Sequence, residues 1–77
     1  MSRPLEEVFG EVFKISASRV TDALSPEEVK GWNSFGHLAL VSALEEAYGI
    51  TFLDDEVAQM DSVGKVRSLL AMRLAAR

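Results

Sequence analysis

The feature that most constrains the fold of this chain is the absence of cysteine from a sequence of only 77 residues. Chains of this length bury a thin core, and many are stabilised by disulfides, metal ions or closely packed helices. Without cysteine, disulfides and thiolate metal sites are excluded, and the single histidine, His37, cannot build a metal site alone. Helix packing remains, and we expect one all-α domain over residues 1–77.

Apolar residues recur at helical spacing near both ends of the chain. Pro4 is expected in the first turn of a helix, where its missing N–H costs nothing. The apolar stripe of this helix comprises Leu5, Val8, Phe9, Val12 and Phe13. Ser62 is expected to cap a last helix. The apolar face of that helix comprises Val63, Val66, Leu69, Leu70 and Leu74. The pattern therefore predicts a first and a last amphipathic helix.

The segment between these helices contains a long connection and two further helices. Residues 15–33 are rich in turn residues, but the spaced apolar side chains of Ile15, Val20 and Leu24 indicate that the connection packs against the helices. A second helix is predicted from about Ser34 to Tyr48, and a short third element near Asp54–Gln59. The sequence therefore predicts a four-helix bundle with three principal helices and a short third helix.

The ends of the second helix carry their own signals. Asn33 or Ser34 is suited to cap its amino end, because both side chains can accept a hydrogen bond from a free backbone N–H. Gly49 is expected to end the helix.

Charge is distributed unevenly along the chain, whose formal net charge is −4. Residues 31–64 contain six acids and no lysine or arginine, whereas residues 65–77 contain four bases and no acid. The acidic middle disfavours nucleic acid, whose phosphates it would repel, and suits basic protein partners. For any single acid, an ordinary solvated helix face is the alternative interpretation.

The amino-terminal sequence bears on where the chain is expected. Met1-Ser2-Arg3-Pro4 lacks the apolar core of a signal peptide. No apolar run approaches the roughly 20 residues of a membrane span. We therefore expect a cytoplasmic protein without a membrane-spanning segment.

The second helix is expected to have a core face and a separate, partly apolar outer face. At about 100° per residue, one arc collects Leu40, Val41, Leu44 and Tyr48, together with His37. Phe35 and Leu38 fall outside this arc. Beside them lie Ala39, Ser42, Glu45 and Glu46. An apolar patch bordered by acids is typical of a surface that binds proteins. The alternative is that Phe35 and Leu38 pack under the long connection.

Ser34 lies where the second helix is predicted to begin, and it is expected to be exposed. A phosphate ester at this position would face free backbone N–H groups, although a serine that only caps the helix is the alternative. The surrounding run, residues 31–50, reads GWNSFGHLALVSALEEAYGI. It has an amide residue, a serine and a bulky apolar residue, followed by an amphipathic helix that ends in Leu-Glu-x-x-aromatic-Gly-Ile. This run resembles the signature of acyl and peptidyl carrier proteins, and the order of the other elements resembles that family too.

The resemblance implies that Ser34 is esterified by 4′-phosphopantetheine, which a separate phosphopantetheinyl transferase donates from coenzyme A. The thiol of this arm would carry acyl groups as thioesters in fatty-acid, polyketide or related biosynthesis, and the chain would not be an enzyme. Acyl-loading, condensing and acyl-transfer enzymes with basic docking patches would be its partners, and we expect a monomer. The resemblance assigns partner recognition to what we call the predicted partner surface: Asn33, Phe35, Leu38, Ala39, Ser42, Glu45 and Glu46.

The chain departs from the pattern of the family at a few positions. Asn33 stands where family members usually have aspartate, so the charge that many transferases meet is missing. Gly36 and Ala39 occupy positions that are often acidic in fatty-acid carriers, which suggests a different set of partners. The tryptophan just before the motif, Trp32, resembles the sequence of specialised bacterial carriers.

Several alternatives remain open from sequence. Asp61-Ser62-Val63 also matches the short serine motif, but the residues after it are basic and lack the rest of the pattern, so Ser62 is interpreted as an ordinary cap. His37 either is structural or touches the arm or the transferase. A peptidyl or aminoacyl carrier would use the same chemistry with another cargo. An unmodified carrier-like interaction module would keep the surface without the arm.

Overall fold

The computed structural model describes residues 3–76 and contains no strand in that range. Met1, Ser2 and Arg77, which belong to the predicted amino terminus and basic tail, lie outside it. The four α-helices are α1 Leu5–Phe13, α2 Ser34–Tyr48, α3 Asp54–Gln59 and α4 Val63–Ala75. This order confirms the predicted all-α bundle of three principal helices and a short third one.

The start of α1 differs by one position from the prediction. Pro4 is not in the first turn but immediately precedes it, with an extended backbone at ψ 145°. Its carbonyl oxygen accepts from the N–H groups of Glu7 and Val8, at 3.0 and 3.3 Å. The fixed φ of proline suits either position, and its extended ψ makes Leu5 the first helical residue.

The core is formed by the apolar faces of the three principal helices. The most deeply buried side chains are Val8, Phe9, Leu40, Leu44, Val63 and Val66. Trp32, from the connection, belongs to this core. Its indole packs against Phe9 and Phe13, with ring centroids 5.2 and 5.6 Å apart. Aromatic contacts of this kind add to the stability gained from burial alone.

The long connection between α1 and α2 is packed, as predicted. It contains two short 3₁₀ turns, Ala17–Arg19 and Pro26–Glu28. Val20 is buried, and its neighbours Ile15 and Leu24 are half-buried against the core. The carbonyl of Leu24 accepts from the N–H of Val63 at 2.9 Å, so the connection is joined directly to the first turn of α4.

The predicted caps of α2 and α4 are confirmed. The side chain of Asn33 accepts from the N–H of Gly36 at 3.0 Å. The hydroxyl of Ser62 accepts from the N–H of Lys65 at 3.2 Å, as an ordinary cap does. Gly49 ends α2 in the left-handed region, at φ 66°.

Two arginines of the basic tail contact acids from other parts of the chain. Arg67 binds Glu6 of α1 and Asp22 of the connection, the latter at 2.9 Å. The hydrogen bond from Arg67 holds the pKa of Glu6 below its ordinary value. Arg73 binds Glu56 of α3, also at 2.9 Å. These two arginines therefore connect α4 to α1, to the connection and to α3.

The first turn of α2 packs directly on the backbone of the connection. A Cβ atom built on Gly36 would lie 1.8 Å from the carbonyl oxygen of Gly31 and 3.0 Å from the ring of Phe13. Gly31 itself has φ 94°, a conformation that favours glycine. The absence of an acid at position 36 therefore has a structural cause, because no side chain fits there.

We predict that Gly36→Ala destabilises the protein by about 2–3 kcal/mol, because the overlap is with backbone and cannot be relieved by a rotamer change. This outweighs the helix-propensity gain of about 1 kcal/mol. Urea denaturation measures the effect. The control is Gly49→Ala, which meets nothing within 4 Å and should lose only about 1 kcal/mol from its left-handed backbone. Equal stability of Gly36→Ala and the wild type would contradict the close packing.

Glu56 is a buried carboxylate that connects α3 to its surroundings. Its Oε1 atom accepts from the N–H of Leu53 at 2.7 Å, and Arg73 Nε donates to both carboxylate oxygens at 2.9 and 3.0 Å. The Leu53 N–H and, after it, Arg73 lower the pKa of Glu56 against the opposing effect of burial. The charged form is therefore the one that the fold stabilises.

We predict that the stability difference between the wild type and Glu56→Gln depends on pH. A lowered carboxyl pKa contributes stability at neutral pH that is lost as pH falls through the lowered pKa. The difference, measured by urea denaturation, should be largest near pH 7 and shrink under acid conditions. Glu46→Gln is the control, because Glu46 is exposed and has no hydrogen bond or ion pair within residues 3–76. A difference that stays constant into the acid range would refute the assignment.

Candidate functional site

Ser34 is the first residue of α2 and is exposed. Its hydroxyl makes no hydrogen bond to any part of the chain that the structure describes. The caps of the helix come from Asn33, whose side chain binds Gly36 N–H and whose carbonyl accepts from His37 N–H at 2.7 Å. Because Asn33 performs the capping, the Ser34 hydroxyl is left available for attachment of another group.

The surroundings of Ser34 suit an anionic group. The first N–H groups of a helix have no partners within the helix, and the helix dipole places partial positive charge there. The first turn of α2 contains no acid that would repel an anion. A phosphate ester on Ser34 is therefore compatible with the local electrostatics.

His37 joins three segments next to Ser34. Trp32 Nε1 donates to His37 Nδ1 at 2.9 Å, so Nδ1 must be unprotonated. The other ring nitrogen, Nε2, lies 2.8 Å from the carbonyl oxygen of Val57 in α3 and donates to it. The imidazole is therefore a neutral tautomer with both nitrogens engaged. This arrangement supports the structural interpretation of His37 over contact with an arm.

A groove of about 290 Å³ begins at Ser34 and lies between the connection, the first turn of α2 and α3. A group attached to Ser34 would therefore start at the rim of this groove. Its lining residues are Pro26, Trp32, Asn33, Ser34, His37, Val57, Ala58 and Met60. The walls are mostly apolar, and the one imidazole in them is already hydrogen-bonded at both nitrogens.

The outer face of α2 is exposed where the helical wheel placed it. Phe35 is 86% exposed and Leu38 is 60% exposed, so neither packs under the connection. Ala39, Ser42 and Glu46 are exposed beside them. Large apolar side chains held in solvent next to acids are typical of protein-binding surfaces.

Glu45 differs from the other members of the predicted partner surface. It is half-buried, and its Oε2 atom accepts from the N–H of Phe52 at 2.8 Å. The chain reverses after Gly49, and this carboxylate satisfies a backbone group in the returning segment. Glu45 therefore has a structural contact that its helical position did not indicate.

Leu53 is a further exposed apolar side chain, which the sequence did not indicate. It lies just before α3 and is 57% exposed. No periodic pattern includes it, because it belongs to an irregular segment, and its apolar character was the only available signal. Four acids of residues 31–64 are exposed in the same part of the chain: Glu46, Asp54, Asp55 and Asp61.

No group of three or more histidine, aspartate or glutamate side chains within residues 3–76 could hold a metal ion. None of the helices in that range has the length and apolar character needed to cross a bilayer.

Comparisons with known proteins bear on this fold. No protein-family model and no curated protein matches the chain. Among solved structures, the chain is similar to the solution NMR structure of a holo acyl carrier protein from Geobacter metallireducens. The TM-score is 0.85 with 29% sequence identity, over 94% of this chain and 83% of that chain. This likeness, together with the helix order and the long packed connection, shows that the chain has the fold of an acyl carrier protein.

Proposed function

We propose that this protein carries acyl intermediates as thioesters on a 4′-phosphopantetheine arm attached to Ser34. The observation that carries this proposal is the exposed Ser34 hydroxyl at the amino end of α2 and at the rim of a groove, where it has no hydrogen bond to residues 3–76. When attached, the arm supplies a thiol, which the chain itself lacks because it has no cysteine. The residues of the chain would hold and present that arm.

The residues around Ser34 would receive the arm in two ways. The free N–H groups of the first turn of α2 would face its phosphate. The apolar wall of the groove, which includes Val57 and Met60, would border its organic part. Trp32 and His37 would keep this wall in place, because their hydrogen bonds join the connection, α2 and α3.

The partners of this carrier would be a phosphopantetheinyl transferase and acyl-loading, condensing and acyl-transfer enzymes. Their basic docking patches would meet the acids around Ser34, since residues 31–64 contain no lysine or arginine. Phe35 and Leu38 would enter apolar depressions on those enzymes. Asn33 keeps the capping role of an aspartate without its charge, and so would make the carrier selective among transferases.

A second candidate is an unmodified interaction module with the same surface, and the neutral Asn33 is the observation that favours it. Incubation with coenzyme A and a broad-specificity transferase separates the two. We predict that intact mass spectrometry will show the added mass of one phosphopantetheine. Ser34→Ala should abolish this addition, and Ser62→Ala should retain it, because the Ser62 hydroxyl accepts the Lys65 N–H as a helix cap.

Two outcomes would contradict the carrier proposal. The first is modification of Ser34→Ala, and the second is that no transferase modifies the wild type or any variant. The second of these outcomes would favour the interaction module. A peptidyl or aminoacyl carrier would give the same mass change, and its cargo would be distinguished by the loading enzyme that accepts the modified protein.

We predict that replacing Phe35 and Leu38 by serine slows attachment of the arm several-fold without destabilising the fold. Exposed positions change stability by about 0.5 kcal/mol or less. Attachment rates from mass spectrometry and urea denaturation midpoints measure the two effects. Met72→Ser is the matched control, because Met72 is 63% exposed on α4 and should change neither.

A substitution in the core gives the loss of stability expected for a purely structural defect. Leu40 is fully buried in α2, and Leu40→Ala should cost about 2–5 kcal/mol. The surface does not have the proposed role if replacing Phe35 and Leu38 by serine costs as much stability as Leu40→Ala. The same conclusion follows if that protein attaches the arm at the wild-type rate.

A further inference from the structure

A second pocket, of about 210 Å³, lies in the connection between α1 and α2. Its apolar part is formed by Val29, which is buried, and by the half-buried side chains of Ile15 and Leu24. Arg19 and Lys30, both exposed, and Glu28 complete the lining. We call this the Arg19 pocket. It combines an apolar floor with two cations in a chain that is acidic as a whole.

Arg19 is unusual among the arginines of residues 3–76. Arg3 contacts Glu7 and Glu11, and Arg67 contacts Glu6 and Asp22. Arg73 contacts Glu56. In that range Arg19 forms neither an ion pair nor a hydrogen bond through its side chain. The chain has 12 acids and 8 lysines and arginines, so an arginine without an acidic partner is an exception.

The lining contains one acid, Glu28, which forms no ion pair with Arg19 or Lys30 within residues 3–76. The Oε1 atom of Glu28 accepts from the backbone N–H and the hydroxyl of Ser25, both at 3.2 Å. It is therefore directed to its own turn. Lys30, like Arg19, has no ion pair within residues 3–76. With two cations and one acid the lining is net positive, and neither cation is paired within residues 3–76, so both can meet a carboxylate from outside the chain.

The chemistry of the lining identifies the class of ligand. A guanidinium presents a planar pair of N–H donors that matches a carboxylate, and this geometry is the strongest form of ion pair in proteins. The apolar floor suits an aliphatic side chain beside that carboxylate. We propose that the Arg19 pocket is a second docking point, which binds an aspartate or glutamate together with a neighbouring aliphatic side chain from a protein partner.

The position of the pocket connects it to Ser34. Lys30 is four residues before Ser34, so their Cα atoms are at most about 14 Å apart along an extended chain. An enzyme that reaches Ser34 can therefore contact the pocket. The charge of the Arg19 pocket is opposite to that of the acids that follow Ser34 in the chain. One contact at the pocket and one at those acids would together fix the orientation of the carrier on the enzyme. This identification of the partner rests on the function proposed above.

The test is a titration of the isotopically labelled full chain with N-acetyl-Asp-Leu-amide, followed by amide chemical shifts. We expect saturable shifts around Ile15, Leu24 and Val29. N-acetyl-Asn-Leu-amide, which lacks the charge, should bind about tenfold more weakly or not at all. Arg19→Gln and Lys30→Gln should each weaken binding of the aspartyl peptide. Lys65→Gln is the matched control, because Lys65 is an exposed, unpaired lysine on α4, and it should leave binding unchanged.

Several outcomes would overturn the proposal: no saturable shifts at the pocket, equal binding of the two peptides, or unaltered binding to Arg19→Gln. Shifts of the same residues that depend on protein concentration alone would mean that a second copy fills the pocket, and would overturn it too. Ser34→Ala should bind the aspartyl peptide like the wild type. The outcome at this pocket is therefore distinguishable from failure of the arm to attach.

Discussion

The contact between the backbone of Gly31 and the first turn of α2 is the constraint on which the site depends. Only a glycine at position 36 allows the carbonyl of Gly31 to approach so closely. This approach brings Trp32 within hydrogen-bonding distance of His37, and the indole at the same time fills the space beside Phe9 and Phe13. Ser34 lies between Gly31 and Gly36 in sequence, so the contacts of these residues and of His37 determine its position.

Much of this fold could be predicted from local sequence. The limits of α2 and α3, the caps at Asn33 and Ser62, and the end of α2 at Gly49 are all set by residues within a few positions of each boundary. The exposure of Phe35 and Leu38 also followed, because helical periodicity separates them from the core face.

Most of the features that could not be predicted depend on contacts between different segments of the chain, whether near or distant in sequence. The close fit of Gly36 depends on a backbone segment of the connection, and the engagement of His37 depends on a carbonyl 20 residues further along. Glu45 was assigned to the surface from its position on a helical wheel. A helical wheel gives the direction of a side chain from the helix axis but does not show that the segment after α2 returns and places the Phe52 N–H at this carboxylate. The pairing of arginines with acids likewise depends on tertiary structure, since Arg67 and Glu6 are 61 positions apart.

The hydrogen bond between His37 and Val57 has a consequence for α3. This helix has six residues, and helices this short do not persist alone in water. One of its carbonyls is bound by α2 through His37, and its Glu56 is bound by α4 through Arg73. These two side chains, together with the packing of Val57 against the core, hold α3 in place. Local opening of the bundle would therefore release both polar contacts as α3 detaches.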